Sequence, residues 1–301
     1  RHENGDVAAV QTEQGQTIAG DFFVDCSGFA SLLMQKTLGV KFQSFKENLF
    51  NDSAVVMPTP ITSIVPLETQ SHALSAGWCW KIPLTNRFGN GYVYSSDFLS
   101  PEQAEQEFRT HLGMENSEQE CRHLKMRVGQ LETHWNHNCL GLGLSQGFIE
   151  PLEATALHLV QNAIELFVDA FSRGHFTPQY RHEFNASIHQ RFDTVRDYIV
   201  AHYKLNTRDD SDYWRANRNN MSLSESLLQI LDAWYRCGDI GQVLERQQSA
   251  SHFGVASWHC LLAGYGAFPA LAMNQPGKGD QYFEQKIESQ LASWAMNFPD
   301  A

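Results

Sequence analysis

Residues 141–167, GLGLSQGFIEPLEATALHLVQNAIELF, set two glutamates, a proline and a threonine where an apolar, glycine-bearing run becomes amphipathic. A positioned carboxylate can take a proton from a reacting atom, and unpaired amides at the start of a helix can hold an anion. Two readings of EPLEATALHLV remain open. In one, Pro151 is the first helical residue and Glu153 merely complements the helix dipole from the first turn. In the other, residues 145–154 form a loop and the helix begins at Thr155, an accepted N-cap type. The Thr155 and Ala156 amides would then be free to bind an anion.

Other chemistry is sparse. His134 and His137 in HWNHN lack a nearby third ligand, so no metal site is expected. Six cysteines (Cys26, Cys79, Cys121, Cys139, Cys237 and Cys260) contain no CxxC pair and read as reduced thiols of a cytoplasmic protein. The phosphate-cradling G-x-G-x-x-G is absent, and GLGLSQG has the wrong spacing and position for it. A net charge of −12 argues against a nucleic-acid partner, which normally meets a basic face. No apolar run approaches the roughly 20 residues of a membrane span, so no membrane partner is expected either. With 301 residues, 42% hydrophobic and 19% charged, the chain can bury a sizeable core in one large or two ordinary domains.

The elements that must position these residues can be sketched. Residues 7–28 read as β, with a turn near Glu13–Gln16 and a short buried run, Phe22 to Val24, leaving sharply at Ser27-Gly28. FASLLMQKTLG predicts a short helix closed by Gly39. Residues 48–98 look strand-rich. Within them SAGWCWKIPL alternates, placing Trp78, Trp80 and Ile82 on one face, and a hairpin through TNRFGNG would bring Tyr92 and Tyr94 near the tryptophans. SPEQAEQEFRTHLG carries a helix signature, with Ser100 and Gln103 as a capping box and Gly113 as the stop. NCLGLGL predicts a buried strand, and Leu157, Val160, Ile164, Phe167 and Phe171 predict a helix with one buried stripe. Beyond residue 178 nearly everything reads as helical. A sheet-containing half is thus followed by a helical half, an α+β or α/β architecture.

With these pieces in place, the chain resembles the flavin-dependent tryptophan halogenases. The matching segments are DFFVDCSGF, GWCWKIPL, GNGYVYSS, GFIEPLEAT, AHYKLNTRDDSDYWR and SWHCLLAGYG, which span nearly the whole sequence. GWCWKIPL is the specific one, fitting the family's W-x-W-x-I-P signature with Trp78, Trp80, Ile82 and Pro83. The resemblance implies an FAD-dependent monooxygenase-like (PHBH-like) fold with mixed sheets. Residues 1–172 would be a partial flavin-binding and substrate-sheet region, and residues 173–301 a helical substrate-side region. It also implies a reaction. FADH2 from a separate NAD(P)H-dependent flavin reductase would form a flavin hydroperoxide, and chloride or bromide would convert it to hypohalous acid. That acid would halogenate an electron-rich aromatic such as tryptophan, an indole or a derivative. By position, the resemblance makes Glu153 the catalytic carboxylate, Thr155 and Ala156 the halide site, and Leu144 and Leu157 flavin-contacting residues. Trp78 and Trp80 would wall the flavin side off from the substrate.

Three departures bear on this. Where the family often reads E-S-T-G, the chain has Glu153-Ala154-Thr155-Ala156; Ala156 keeps the amide but resists positive φ. The stretch QQSASHFGVAS lacks the side chains that hold a free amino acid, having His252-Phe253 and Ser257 instead. The family's essential lysine and dinucleotide fingerprint belong to an N-terminal region, so a chain opening without Met inside a strand pattern reads as part of a longer protein. An aromatic monooxygenase of the same fold, and a non-catalytic binding protein, are the competing readings; a homodimer is among the possible assemblies.

Overall fold

The chain opens with an antiparallel hairpin of β1 (Ala9–Gln11) and β2 (Thr17–Ala19). The computed structural model describes residues 1–269 and 281–296; the parts of the expected helical half at 270–280 and 297–301 lie outside the described residues. Strand β3 (Phe23–Asp25) is the edge of a three-stranded sheet, and the expectation of a buried run is corrected: successive side chains point to opposite faces, and Val24 is exposed between half-buried Phe23 and buried Asp25. Its last residue, Asp25, is buried, and its carboxylate accepts the Leu33 and Met34 amides, both at 2.9 Å. Those bonds cap the helix Leu32–Thr37, which is wound as a π-helix and not as the ordinary short helix expected.

After β4 (Phe42–Ser44) come β5 (Ser53–Pro60), β6 (Gln70–Leu74), β7 (Gly77–Pro83) and β8 (Arg87–Tyr94). Helix α1 (Pro101–Leu112) follows with the full Ser100/Gln103 capping box and a left-handed Gly113, and β9 (Arg122–Lys125) completes an antiparallel sheet ordered β6-β7-β8-β5-β9. The register sets Trp78 opposite Val93, Cys79 opposite Tyr92 and Trp80 opposite Gly91. Tyr92 and Tyr94 therefore point to the other face, where they pack with Cys79, Val55 and Phe108 of α1. Residues directly opposite share a face, so the expected tyrosine–tryptophan cluster does not form. Trp78 and Trp80 do share their face, with ring centroids 5.9 Å apart.

Short strands β10 (Gly129–Leu131), β11 (Trp135–Asn136), β12 (Cys139–Gly141) and β13 (Gly147–Phe148) then build two small sheets. Their orders are β13-β10-β4, all antiparallel, and β11-β12-β3, in which β12 runs parallel to β3. The rest of the described chain is helical: α2 (Thr155–Arg173), α3 (Arg181–Lys204), α4 (Asp212–Asn219), α5 (Glu225–Tyr235), α6 (Ile240–Arg246), α7 (Val255–Gly264) and α8 (Gln281–Ala295). The buried stripe of α2 is not the expected one. Thr155, Leu159, Ala163 and Ala170 are buried, with Phe167 and Phe171 packed partly against Trp135, whereas Leu157 and Ile164 face outward. Apolar residues occur on both sides of this helix, and the side meeting the sheets and α3 is set by the loop that leads into it.

Candidate active site

That loop begins where β12 ends. Gly143–Ser145 form a 3₁₀ turn held down by the Ser145 hydroxyl, whose single hydrogen is shared between the Asp25 and Leu142 carbonyl oxygens. Strand β13 follows, then Glu150 in the extended region that a residue before proline prefers, at φ −53° and ψ 144°. Pro151–Glu153 make a second 3₁₀ turn, Ala154 takes the left-handed conformation at φ 54°, and α2 starts at Thr155. Neither Pro151 nor Glu153 is part of the long helix.

Thr155 is nevertheless not an N-cap, because its backbone is already helical and the flanking position belongs to Ala154, which has no side-chain oxygen. Two consequences follow. Among the described residues the Thr155 and Ala156 amides have no acceptor, as geometry dictates for the first turn of an uncapped helix. The Thr155 hydroxyl is buried and also lacks a partner. Positive φ falls on Ala154, whereas Ala156 is helical, so the residue at 156 needs no glycine-like freedom. Because a β-branched side chain fits the left-handed region worst, Ala154→Val is expected to cost about 1–3 kcal/mol in urea unfolding. A change below about 0.5 kcal/mol would contradict this backbone geometry.

Glu153 sits on the turn just before these amides. Its side chain is 36% exposed, and its Oε1 lies 2.8 Å from Nε2 of the largely buried His202 on α3. His202 Nδ1 lies 2.9 Å from the Tyr198 carbonyl oxygen, which can only accept, so Nδ1 carries a proton. Nε2 then faces a carboxylate across hydrogen-bond distance, and one proton must lie between them. The Glu153–His202 pair therefore shares a single proton. Aromatic side chains surround it: Tyr198 stacks on Phe253 with centroids 3.7 Å apart, Trp258 meets Tyr198 edge-on at 5.0 Å, and Tyr265 meets His202 edge-on at 6.1 Å. Burial first, and the Glu153 charge second, push the Tyr198 phenol up to about 12 and raise that of Tyr265.

The remaining sequence-derived residues flank this centre. Leu144, on the first 3₁₀ turn, is 44% exposed and Leu157, in the first turn of α2, is 83% exposed; the two elements pack together. The Trp78 indole donates from Nε1 to Glu150 Oε2 at 2.8 Å, so the tryptophan pair is tied to the same loop, three residues before Glu153. Lys81 lies 4.4 Å over the Phe88 ring and plays no part in the site. His134 is fully buried against Gln130 and His137 pairs with Asp6, so the HWNHN histidines point to different partners. Among the described residues no group of three or more His, Cys, Asp or Glu side chains is arranged to hold a metal ion. Glu150, His202 and Tyr203 were missed as site residues, although all three lie in the segments that carried the resemblance.

His252, beside Phe253, supplies a pH-dependent signature. Burial, then the neighbouring Arg191 and His158 charges, hold its pKa down to about 4 against an ordinary 6.5. The unfolded chain therefore takes up a proton below about 6.5 that the folded chain refuses until about 4, and folding weakens as pH falls through that window. The melting temperature of His252→Phe is expected to fall less steeply than the parent's across this range; identical slopes would show that His252 contributes nothing.

Comparison with known proteins places these features in context. Residues 1–276 match the family model described as tryptophan halogenase. The chain is 36% identical over 290 residues to tryptophan 6-halogenase SttH of Streptomyces toxytricini, covering 93% of this chain and 55% of that protein. It is 36% identical over 291 residues to 7-chloro-L-tryptophan 6-halogenase KtzR of Kutzneria sp. (strain 744), with the same coverage of 93% and 55%. The crystal structure of SttH superposes with a TM-score of 0.87 at 34% identity, covering 97% of this chain and 57% of that one. BrvH, a flavin-dependent halogenase from Brevundimonas sp. BAL3, superposes with a TM-score of 0.81 at 33% identity, covering 99% and 59%. The chain spans about half the length of the curated relatives it matches.

Proposed function

Since the chain belongs to the tryptophan halogenase family and shares the fold of solved flavin halogenases, we propose that the whole protein uses FADH2 and chloride or bromide to halogenate an electron-rich aromatic ring. Tryptophan, indole or a derivative is the proposed substrate, and a separate flavin reductase the proposed partner. Six cysteines without disulfides suit a cytoplasmic location.

The observation that carries this reading is the uncapped start of α2 beside the Glu153–His202 pair. Free amides at 155 and 156, with the partnerless buried hydroxyl of Thr155, are an orphaned donor set that fits a halide. Exposed apolar Leu144 and Leu157 on either side fit the edge of a flat ring system such as a flavin. The chemistry a bound reduced flavin supplies is activation of dioxygen, which converts halide into an electrophile. Glu153 then has one task. When halogen adds to a ring carbon, the hydrogen on that carbon leaves as a proton, and the carboxylate receives it while the C–X bond persists and the ring regains aromaticity. His202, joined to the carboxylate through the shared proton, orients it. Trp78 and Trp80, on the strand tied to this loop, separate the oxidising side from the ring.

The test is product analysis. Full-length protein supplied with reduced FAD, bromide and either indole or tryptophan should yield product heavier by bromine minus hydrogen. A hydroxylated product free of halogen would replace this reading by an aromatic monooxygenase.

A further inference from the structure

Glu150 is wholly buried and has no cationic partner among the described residues. One of its oxygens, Oε2, accepts three donors: Trp78 Nε1 at 2.8 Å, Asn51 Nδ2 at 2.8 Å and the Tyr203 hydroxyl at 2.6 Å. Asn51 extends the network, its Oδ1 accepting from the Tyr213 hydroxyl of α4 at 2.9 Å. The other oxygen, Oε1, is buried without a partner. A buried carboxylate is costly unless its donors are well placed, so a chain that keeps one here must use its acceptor strength. The use is visible in the connections. Glu153 is gripped by His202, and Glu150 by the adjacent Tyr203, so a single dipeptide of α3 fixes both ends of the 150–153 turn.

We propose that Glu150 is a positioning residue for the tryptophan wall, anchoring the Trp78 indole to the same stretch of α3 that holds Glu153 and so fixing the wall relative to the base. The structural part stands on geometry alone; its catalytic consequence rests on the halogenase reading above. Glutamine can present its amide oxygen where Oε2 lies and keep all three donors, while leucine fills the space and accepts nothing. Burial pushes the Glu150 carboxyl up in spite of its three donors.

Two readouts separate the outcomes. The first uses full-length protein labelled with ¹⁵N-indole tryptophan, with the Trp78 Nε1–H resonance identified by its absence in Trp78→Phe, and needs no turnover. Glu150→Leu is expected to move that resonance upfield out of its hydrogen-bonded position, whereas Glu150→Gln keeps it bonded. The second is the ratio of halogenated product to hydrogen peroxide with reduced FAD and bromide. It should fall in Glu150→Leu by up to about 10²-fold, as for a group displaced by about 1 Å, and be retained in Glu150→Gln. An unmoved resonance in Glu150→Leu, or equal loss of coupling in the Gln and Leu variants, would overturn the proposal. Should Glu150→Leu not fold, Trp78→Phe, which keeps an aromatic ring but deletes the indole N–H, takes its place in the second readout. A parent-like ratio in that variant would equally overturn it. If the parent itself makes no halogenated product, the halogenase reading fails and the resonance alone decides the anchor.

Discussion

Glu153→Gln is expected to lower halogenation by about 10²–10⁴-fold, or roughly 3–5 kcal/mol of barrier, with folding intact. The substitution suits the site. A glutamine amide can donate to Nε2 of a His202 ring that carries its proton on Nδ1, so the 2.8 Å contact survives and only the base is lost. The expected record is a collapse of single-turnover halogenation while the melting temperature stays at the parent's value. Parent-like turnover would return Glu153 to the other of its two sequence readings, a carboxylate that merely complements the helix dipole.

Gly77→Ala should have the largest effect on the scaffold. A Cβ at this position would lie 1.9 Å from the Val93 carbonyl oxygen and 2.9 Å from the Tyr94 Cα, both backbone atoms of the neighbouring strand. No rotamer relieves that clash, so β7 and β8 must part where Trp78 is held. We expect a loss of about 3 kcal/mol or more in urea unfolding, at or beyond the upper end for overpacking. Gly91→Ala is the contrast. Its Cβ would meet the Trp80 ring at 2.1 Å, and a side chain can swing away, so about 1–3 kcal/mol and an altered near-ultraviolet tryptophan signal are expected. A Gly77→Ala protein as stable as the parent would contradict the register that pairs Gly77 with Tyr94.

What the sequence disclosed follows the range of the forces involved. Local signals were legible: the Ser100 capping box and the hairpin around TNRFGNG depend on neighbours within a few residues, whereas the start of α2 was left between Pro151 and Thr155. Expectations that needed tertiary information were less accurate. The α2 stripe was misassigned because both of its sides carry apolar residues and only the partners decide which is covered. Tyr92 and Tyr94 were put with the tryptophans because the alternation pattern gives the face of each strand but not the pairing register between strands. At the site, Glu153, Thr155 and Ala156 were named because the family resemblance reaches them through one contiguous stretch of sequence. His202 and Tyr203 were not, since their roles appear only when α3 lies against the loop. Glu150 looked like one more charge beside a proline, and nothing local announces that it is buried.

The double attachment of the 150–153 turn to His202 and Tyr203 limits how such a protein can be re-engineered. Successive residues on a helix point about 100° apart, so a one-residue insertion in α3 ahead of this dipeptide would turn both grips away together. Neither could be adjusted while the other stayed home.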